Sequence, residues 1–350
     1  MYSFKRWTGG LLVLALVLTG SAFAENRQEE QCQVTLDCEL YVKNVVGSVK
    51  VFAWDKPTLM YKAEIGPKVE RIDFDTSTSH PRIEVILPKK VNSGAYVHLE
   101  IYVPSGASVG INTISASILV EGPQGDLEAE AVSGSIDILG DAHSIEAKTV
   151  SGSVRIEGSA PGASIQGSAV SGSVQILGDA DSIDATSVSG KVRVEGISKE
   201  ARLKSTSGSV EYKGLSSELE CESISGSIRV DRMQYEGKLS SVSGSIKIIG
   251  EAIEDLTAES VSGSITFEGT LMNNGSLEMQ SRSGSVTAKL PSDTPAEYDL
   301  ETFSGSIQND FGPAPTKPRF GPGHFLEFTV GEGDASVELS SFSGGIRLNN

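Results

Sequence analysis

The stretch AVSGSIDILGDAHSIEAKTVSGSVRIEG spans Ala131–Gly158, and its phrase Val-Ser-Gly-Ser returns along most of the chain. The glycines of the Ser-Gly pairs fall at Gly134, Gly152, Gly172, Gly190, Gly208, Gly226, Gly244, Gly263, Gly284, Gly305 and Gly344. Their spacings are 18, 20, 18, 18, 18, 18, 19, 21, 21 and 39 residues. A degenerate copy, SASILVEG, begins at Ser115 and places Ala116 in the glycine position. A fixed period of this size marks a solenoid, in which each repeat is one coil. The final spacing is close to two periods, so the sequence predicts a copy there that has lost the motif.

Aligning the copies on the first serine reveals what each coil contains. The fourth column is β-branched throughout, from Ile118, Ile136 and Val154 to Ile307 and Ile346. The sixth is apolar (Val120, Ile138, Ile156, Ile176, Val194, Tyr212), while the fifth between them is polar (Asp137, Arg155, Gln175, Arg193, Glu211, Arg229). This alternation of period two describes a half-buried strand. Glycine recurs in the eighth column (Gly140, Gly158, Gly178, Gly196) and reads as a corner. A second short strand follows, with Leu127, Ile145, Ile183 and Leu219 in column thirteen and Ala129, Ala147, Ala185 and Cys221 in column fifteen. Cys221 thus sits in a small inward site otherwise held by alanine, as a buried structural thiol. Two strands and two turns fill the period, so the expected fold is all-β: a single parallel β-solenoid (β-helix) of about 18–21 residues per coil with no significant helix. Equivalent residues then lie about 4.8 Å apart, which sets Asp137 beside Arg155 and Glu211 between Arg193 and Arg229. Twelve or so rungs would make a rod roughly 60 Å long.

The repeated serines are poor candidates for chemistry. A nucleophile needs a paired base, yet the four histidines, His80, His98, His143 and His324, do not recur with the motif. A phosphate cradle needs a helix N-terminus behind its glycines. Counting parity from the valine before the motif to columns four and six places the motif glycine inward, where only hydrogen fits. The serines then face outward or cap the bend. Acidic turns such as Asp179, Asp181 and Asp184 lack the glycine-rich nonapeptides of calcium-binding repeats and read as solvated turns. Catalytic, cofactor and metal sites are therefore not expected.

The ends differ from the middle. Residues 1–24 carry Lys5 and Arg6, an apolar run from Leu11 to Leu18, and Ala22-Phe23-Ala24 at the position of a cleavage site, the pattern of a secretory signal. The segment 25–114 reads as an N-terminal cap with irregular first coils, 115–308 as the regular solenoid, and 309–350 as an excursion followed by terminal coils. The excursion, Asn309–Phe328, contains four prolines and is the main place where a function could be grafted. Formal charge is −17, and becomes −19 once the leader removes two of the 29 basic residues and none of the 46 acidic ones. That charge argues against nucleic acid or anionic lipid as partner. No further stretch is long and apolar enough for a membrane span. Cys32 and Cys38 could form a disulfide only if the chain turns near Leu36–Glu39, because six straight strand steps cover about 20 Å. Both outcomes are open.

The repeated VSGSI/V rungs, the early NVVGSVKVFAWD (Asn44–Asp55) and the ending GDASVELSSFSGGIRL (Gly333–Leu348) together resemble the bacterial candidate-adhesin domains of unknown function. The resemblance extends over roughly Val34 to Leu348 and implies a parallel β-solenoid in an exported or envelope protein, with no catalytic residues to transfer. Val46 stands where an asparagine often precedes the glycine, and Cys32 and Cys38 depart from the pattern. The resulting expectation is a non-enzymatic adhesin or envelope scaffold, periplasmic or at the cell surface, whose partner is an envelope protein or a glycan. Two alternatives stand beside it: a carbohydrate-active β-helix with two facing acidic side chains near residues 309–328, and a self-assembling scaffold of the bactofilin type.

Overall fold

The computed structural model describes residues 26–88, 94–317 and 322–350; the expected signal segment and its cleavage site lie outside them. In a typical coil a short strand, Ile136–Leu139, is followed by a corner and a second strand, Ser144–Thr149. The next coil repeats both in parallel, pairing Val154 with Ile136, Ile156 with Ile138 and Arg155 with Asp137. On the second wall Ile145 pairs with Leu127 and Ala147 with Ala129. From Val192 onward the two strands of a coil run through the corner as one, in Val192–Ser205, Val210–Ser223 and Ile228–Ser241. The protein is an all-β parallel solenoid, and no helix occurs among the described residues. One coil cannot bury its apolar stripe alone, but stacked coils share a continuous core. Ile138, Ile156, Val194, Ala147, Ala185 and Cys221 are all fully buried in it. Desolvation pushes the Cys221 thiol far above its ordinary range.

The Val-Ser-Gly-Ser bend departs from the parity expectation. Thr149, Ser187, Ser205 and Ser223, which precede the valine, are buried, whereas Val132, Val150 and Val188 are exposed. Strict alternation belongs to extended strand, and the bend interrupts it between this inward residue and the next inward Ile or Val. The motif glycines do not face the core either. A Cβ placed on Gly152 would lie 2.0 Å from the carbonyl oxygen of Gly134, and on Gly190 1.9 Å from that of Gly172. The missing side chain would point along the stack into the coil before, so glycine is required by close packing between coils.

Capping of the bend falls to the buried hydroxyl, not to the motif serines. Ser187 Oγ accepts a hydrogen bond from the Gly190 N–H at 2.9 Å and donates to the Gly172 carbonyl at 2.8 Å. Ser205, Ser223 and Ser241 repeat the arrangement in later coils. Each satisfies two backbone groups that the bend would otherwise leave unpaired.

Both ends are closed by antiparallel strands. At the N-terminal end the coil Glu39–Trp54 pairs in parallel with Ser108–Glu121 on one side and with Val97–Pro104 and Arg82–Ile86 on the other. Thr58–Ile65, Arg27–Gln33 and Arg71–Asp75 then add antiparallel strands outside. The chain does turn between Cys32 and Cys38, with the Cys38 N–H bonded to the Thr35 carbonyl at 3.3 Å. The two cysteines are free thiols here, and burial pushes each up to about 11.

At the C-terminal end the 39-residue spacing is not a lost copy. The final coil, Ala335–Ser341 with Ile346–Asn349, lies between the coil ending at Lys289 and the coil Ala296–Asn309. The glycine stack follows this spatial order: a Cβ on Gly344 would strike Gly284 O, and one on Gly305 would strike Gly344 O. The chain therefore skips one rung, makes its excursion, and returns to fill the gap. His324–Val330 pairs antiparallel with Ala296–Thr302 as the outer strand. Tyr298 stacks on Phe328 with ring centroids 4.7 Å apart, and Phe311 meets the Tyr298 ring edge-on at 5.8 Å. The described part of the excursion thus covers the end of the core.

Candidate functional site

The outward valine of each bend generates the most distinctive surface. In spatial order the row runs Ile114, Val132, Val150, Val170, Val188, Thr206, Ile224, Val242, Val261, Arg282, Phe342 and Phe303. Its apolar members are each 42–54% exposed. The bends stay in the backbone ladder, with Ser151 N–H bonded to Val132 O at 2.9 Å and Ser189 N–H to Val170 O at 2.9 Å. Neighbouring side chains therefore repeat at the inter-strand spacing of about 4.8 Å. Phe303 and Phe342 end the row as a stacked pair, 4.8 Å apart and 5° from parallel.

Beside this ridge lies a groove of about 630 Å³, extending from Thr186 to Arg282. One border is the ridge itself (Val188, Thr206, Ile224, Val242, Val261), and the other is the parallel row Thr186, Lys204, Glu222, Ser240, Glu259 and Gln280. The buried serines that cap the bends form the floor. Lys204 contacts Glu220 at 3.2 Å and Glu222 at 3.3 Å. Burial works against its charge, but the two carboxylates prevail and hold its ammonium above the ordinary lysine range. A smaller hollow of about 220 Å³ on the other wall is lined by Arg193, Glu211, Lys213, Arg229 and Asp231. Its charges are spent on one another: Arg229 meets Asp231 at 3.0 Å, and Lys213 meets Glu195 at 2.6 Å.

The eleven motif glycines, Gly134 through Gly344, line the bend beside the ridge and hold its coils at close approach. Cys32 and Cys38 lie at the N-terminal cap, away from the groove. In the acidic turn, Asp181 pairs with Lys199 at 2.5 Å, which lowers its carboxyl range, and Asp179 accepts the Ile197 N–H at 2.7 Å. Among the described residues no group of three or more His, Cys, Asp or Glu could hold a metal ion. Ser48 Oγ and His98 Nδ1 are 2.8 Å apart on an exposed strand face. Glu64 is the next cross-strand neighbour of His98, but no ion pair joins them. Near the excursion Asp299 does stand opposite Glu327, yet both project from an exposed sheet face beside Glu338. No helix of the described residues is long and apolar enough to cross a membrane.

The ridge is what sequence reasoning missed. Its signal was present: columns thirteen and fifteen face inward, so continuing that count to column seventeen sends the next residue out. Valine there is then an exposed apolar residue repeated in coil after coil.

The Toastrack DUF4097 model matches this chain twice, over residues 71–251 and 181–349. The chain belongs to the Toastrack DUF4097 family. No curated protein matches it. Similar solved structures include a candidate adhesin from Parabacteroides merdae ATCC 43184, with 15% identity, 70% of this chain and 97% of that chain covered, and a TM-score of 0.41. A candidate adhesin from Parabacteroides distasonis ATCC 8503 gives 14%, 76%, 97% and 0.35. A candidate lipid binding protein from the same organism gives 11%, 76%, 95% and 0.33. These overlays are loose, and the Toastrack match carries the assignment.

Proposed function

We propose that this Toastrack solenoid is an exported, non-enzymatic interaction module of the adhesin or envelope-scaffold class, and that it binds along the ridge and groove. The observation that carries this reading is the unbroken run of half-exposed Val, Ile and Phe side chains beside a groove, on a protein with many acidic residues to spend on its surface. Scattered apolar residues need no explanation, but a contiguous apolar patch of several hundred Å² on a folded surface marks a contact site. Export is supported by the signal pattern of residues 1–24, and a non-enzymatic role by the distribution of carboxylates and histidines over open sheet faces. The test is a photo-crosslinking side chain placed at Val242 on the ridge, or at Lys247 on the opposite wall, in the native host. Adducts should form from position 242 and not from 247. Equal labelling at both positions, or none at 242, overturns the reading.

A further inference from the structure

Resting on that interaction reading, we propose that the partner for the ridge is a second copy of this chain, lying antiparallel with each ridge seated in the other's groove. Ridge and groove run side by side on one protomer, which is the arrangement an isologous two-fold contact requires. Their pitch also matches. A row repeating every 4.8 Å is met knob for knob only by another row with the same repeat, and this chain carries that row.

The groove fixes the register independently of charge. It extends from the coil of Val188 to that of Arg282, so its midpoint falls between Ile224 and Val242. A two-fold axis there sets Ile224 against Val242 of the other copy, and Thr206, the polar gap in the row, against Val261. On the bordering row it brings Lys204 to the other copy's Glu259 and, further out, Lys148 to the other copy's Glu301. Sliding one rung in one direction would set Glu222 against its own equivalent. Sliding one rung the other way would set Glu222 against Glu259 and Lys204 beside Arg282. Only the groove-centred register avoids like charges, although the chain as a whole is strongly acidic. Contact over about ten coils, roughly 45 Å by 12 Å, buries on the order of 1,000 Å² in total, the lower end of specific interfaces. The pairing is therefore a reversible one.

Sedimentation velocity on the purified full-length protein, over a wide concentration range, tests this. The expected result is a concentration-dependent dimer. Val242→Asp, at a half-exposed position, should leave the circular dichroism unchanged and weaken dimerisation at least tenfold. Lys204→Glu and Glu259→Lys should each weaken it, and the double variant should regain most of the loss. A protein that stays monomeric at several hundred micromolar, a dimer indifferent to Val242→Asp, or a double variant no better than the single ones overturns the proposal. The two readings fail separately: a monomeric protein whose position 242 still crosslinks a different molecule refutes self-pairing and leaves the interaction surface standing.

Discussion

Ser223 and Ser225 are two residues apart and have opposite roles. Ser223 is buried, accepts the Gly226 N–H at 2.9 Å and donates to the Gly208 carbonyl at 3.2 Å; Ser225 belongs to the repeated motif and is exposed. Ser223→Ala leaves a backbone donor and acceptor without partners inside the bend and should cost about 1–3 kcal/mol in urea unfolding. Ser225→Ala should change stability by less than about 0.5 kcal/mol. Equal costs would mean that the buried hydroxyl ladder does not support the bend. The pair also marks a limit of reading by motif. The most frequent serine draws the eye, while the one that caps the bend alternates with threonine and alanine (Thr149, Ala169, Ser187) and shows no fixed letter.

The strands were legible because their cause is local. Ile136, Asp137 and Ile138 declare an inward–outward–inward strand, and the stacking of such columns follows from the period alone. The bend was not legible, because alternation has no meaning across residues that are not extended. One continued count reversed the valine, hid the ridge, and aimed the glycines at the core. The C-terminal excursion was misread for a different reason: a skipped rung and a lost repeat leave the same spacing in sequence, and only pairing separates them. At this scale the excursion acts as a lid on an open edge, which otherwise invites other strands. Phe328→Lys removes the ring stacked on Tyr298 and places a charge over the end of the core. The expected outcome is a looser terminal strand and end-to-end association, read as a rise in light scattering with unchanged strand content at early times. Unaltered scattering and amide protection in Ala296–Thr302 would show that the strand does not guard the end.

A stack in which each coil touches only its neighbours is held together step by step. Damage should therefore spread over a few rungs and leave distant ones intact. Leu339 is 1% exposed in the inserted coil and pairs with Met279 on one side and Leu300 on the other. Leu339→Asp buries a charge, at a local cost on the order of 3 kcal/mol or more. Hydrogen exchange should accelerate in 276–309 and 324–349 while Ile136–Leu177 keeps its protection. Uniform acceleration along the rod would mean that the solenoid unfolds as a single cooperative unit.

The order of the last coils also bears on how the molecule is made. Synthesis delivers Ala296–Asn309 before its final neighbour, Ala335–Asn349, exists. Until the last fifteen residues leave the ribosome, that earlier coil has either no rung to rest on or the wrong one, one strand spacing (about 4.8 Å) away from its place. Completion of the fold thus waits for the final codons. A chain cut short anywhere after residue 309 loses the tail and also the seat of a coil already made, so the end of the rod distinguishes finished copies from unfinished ones.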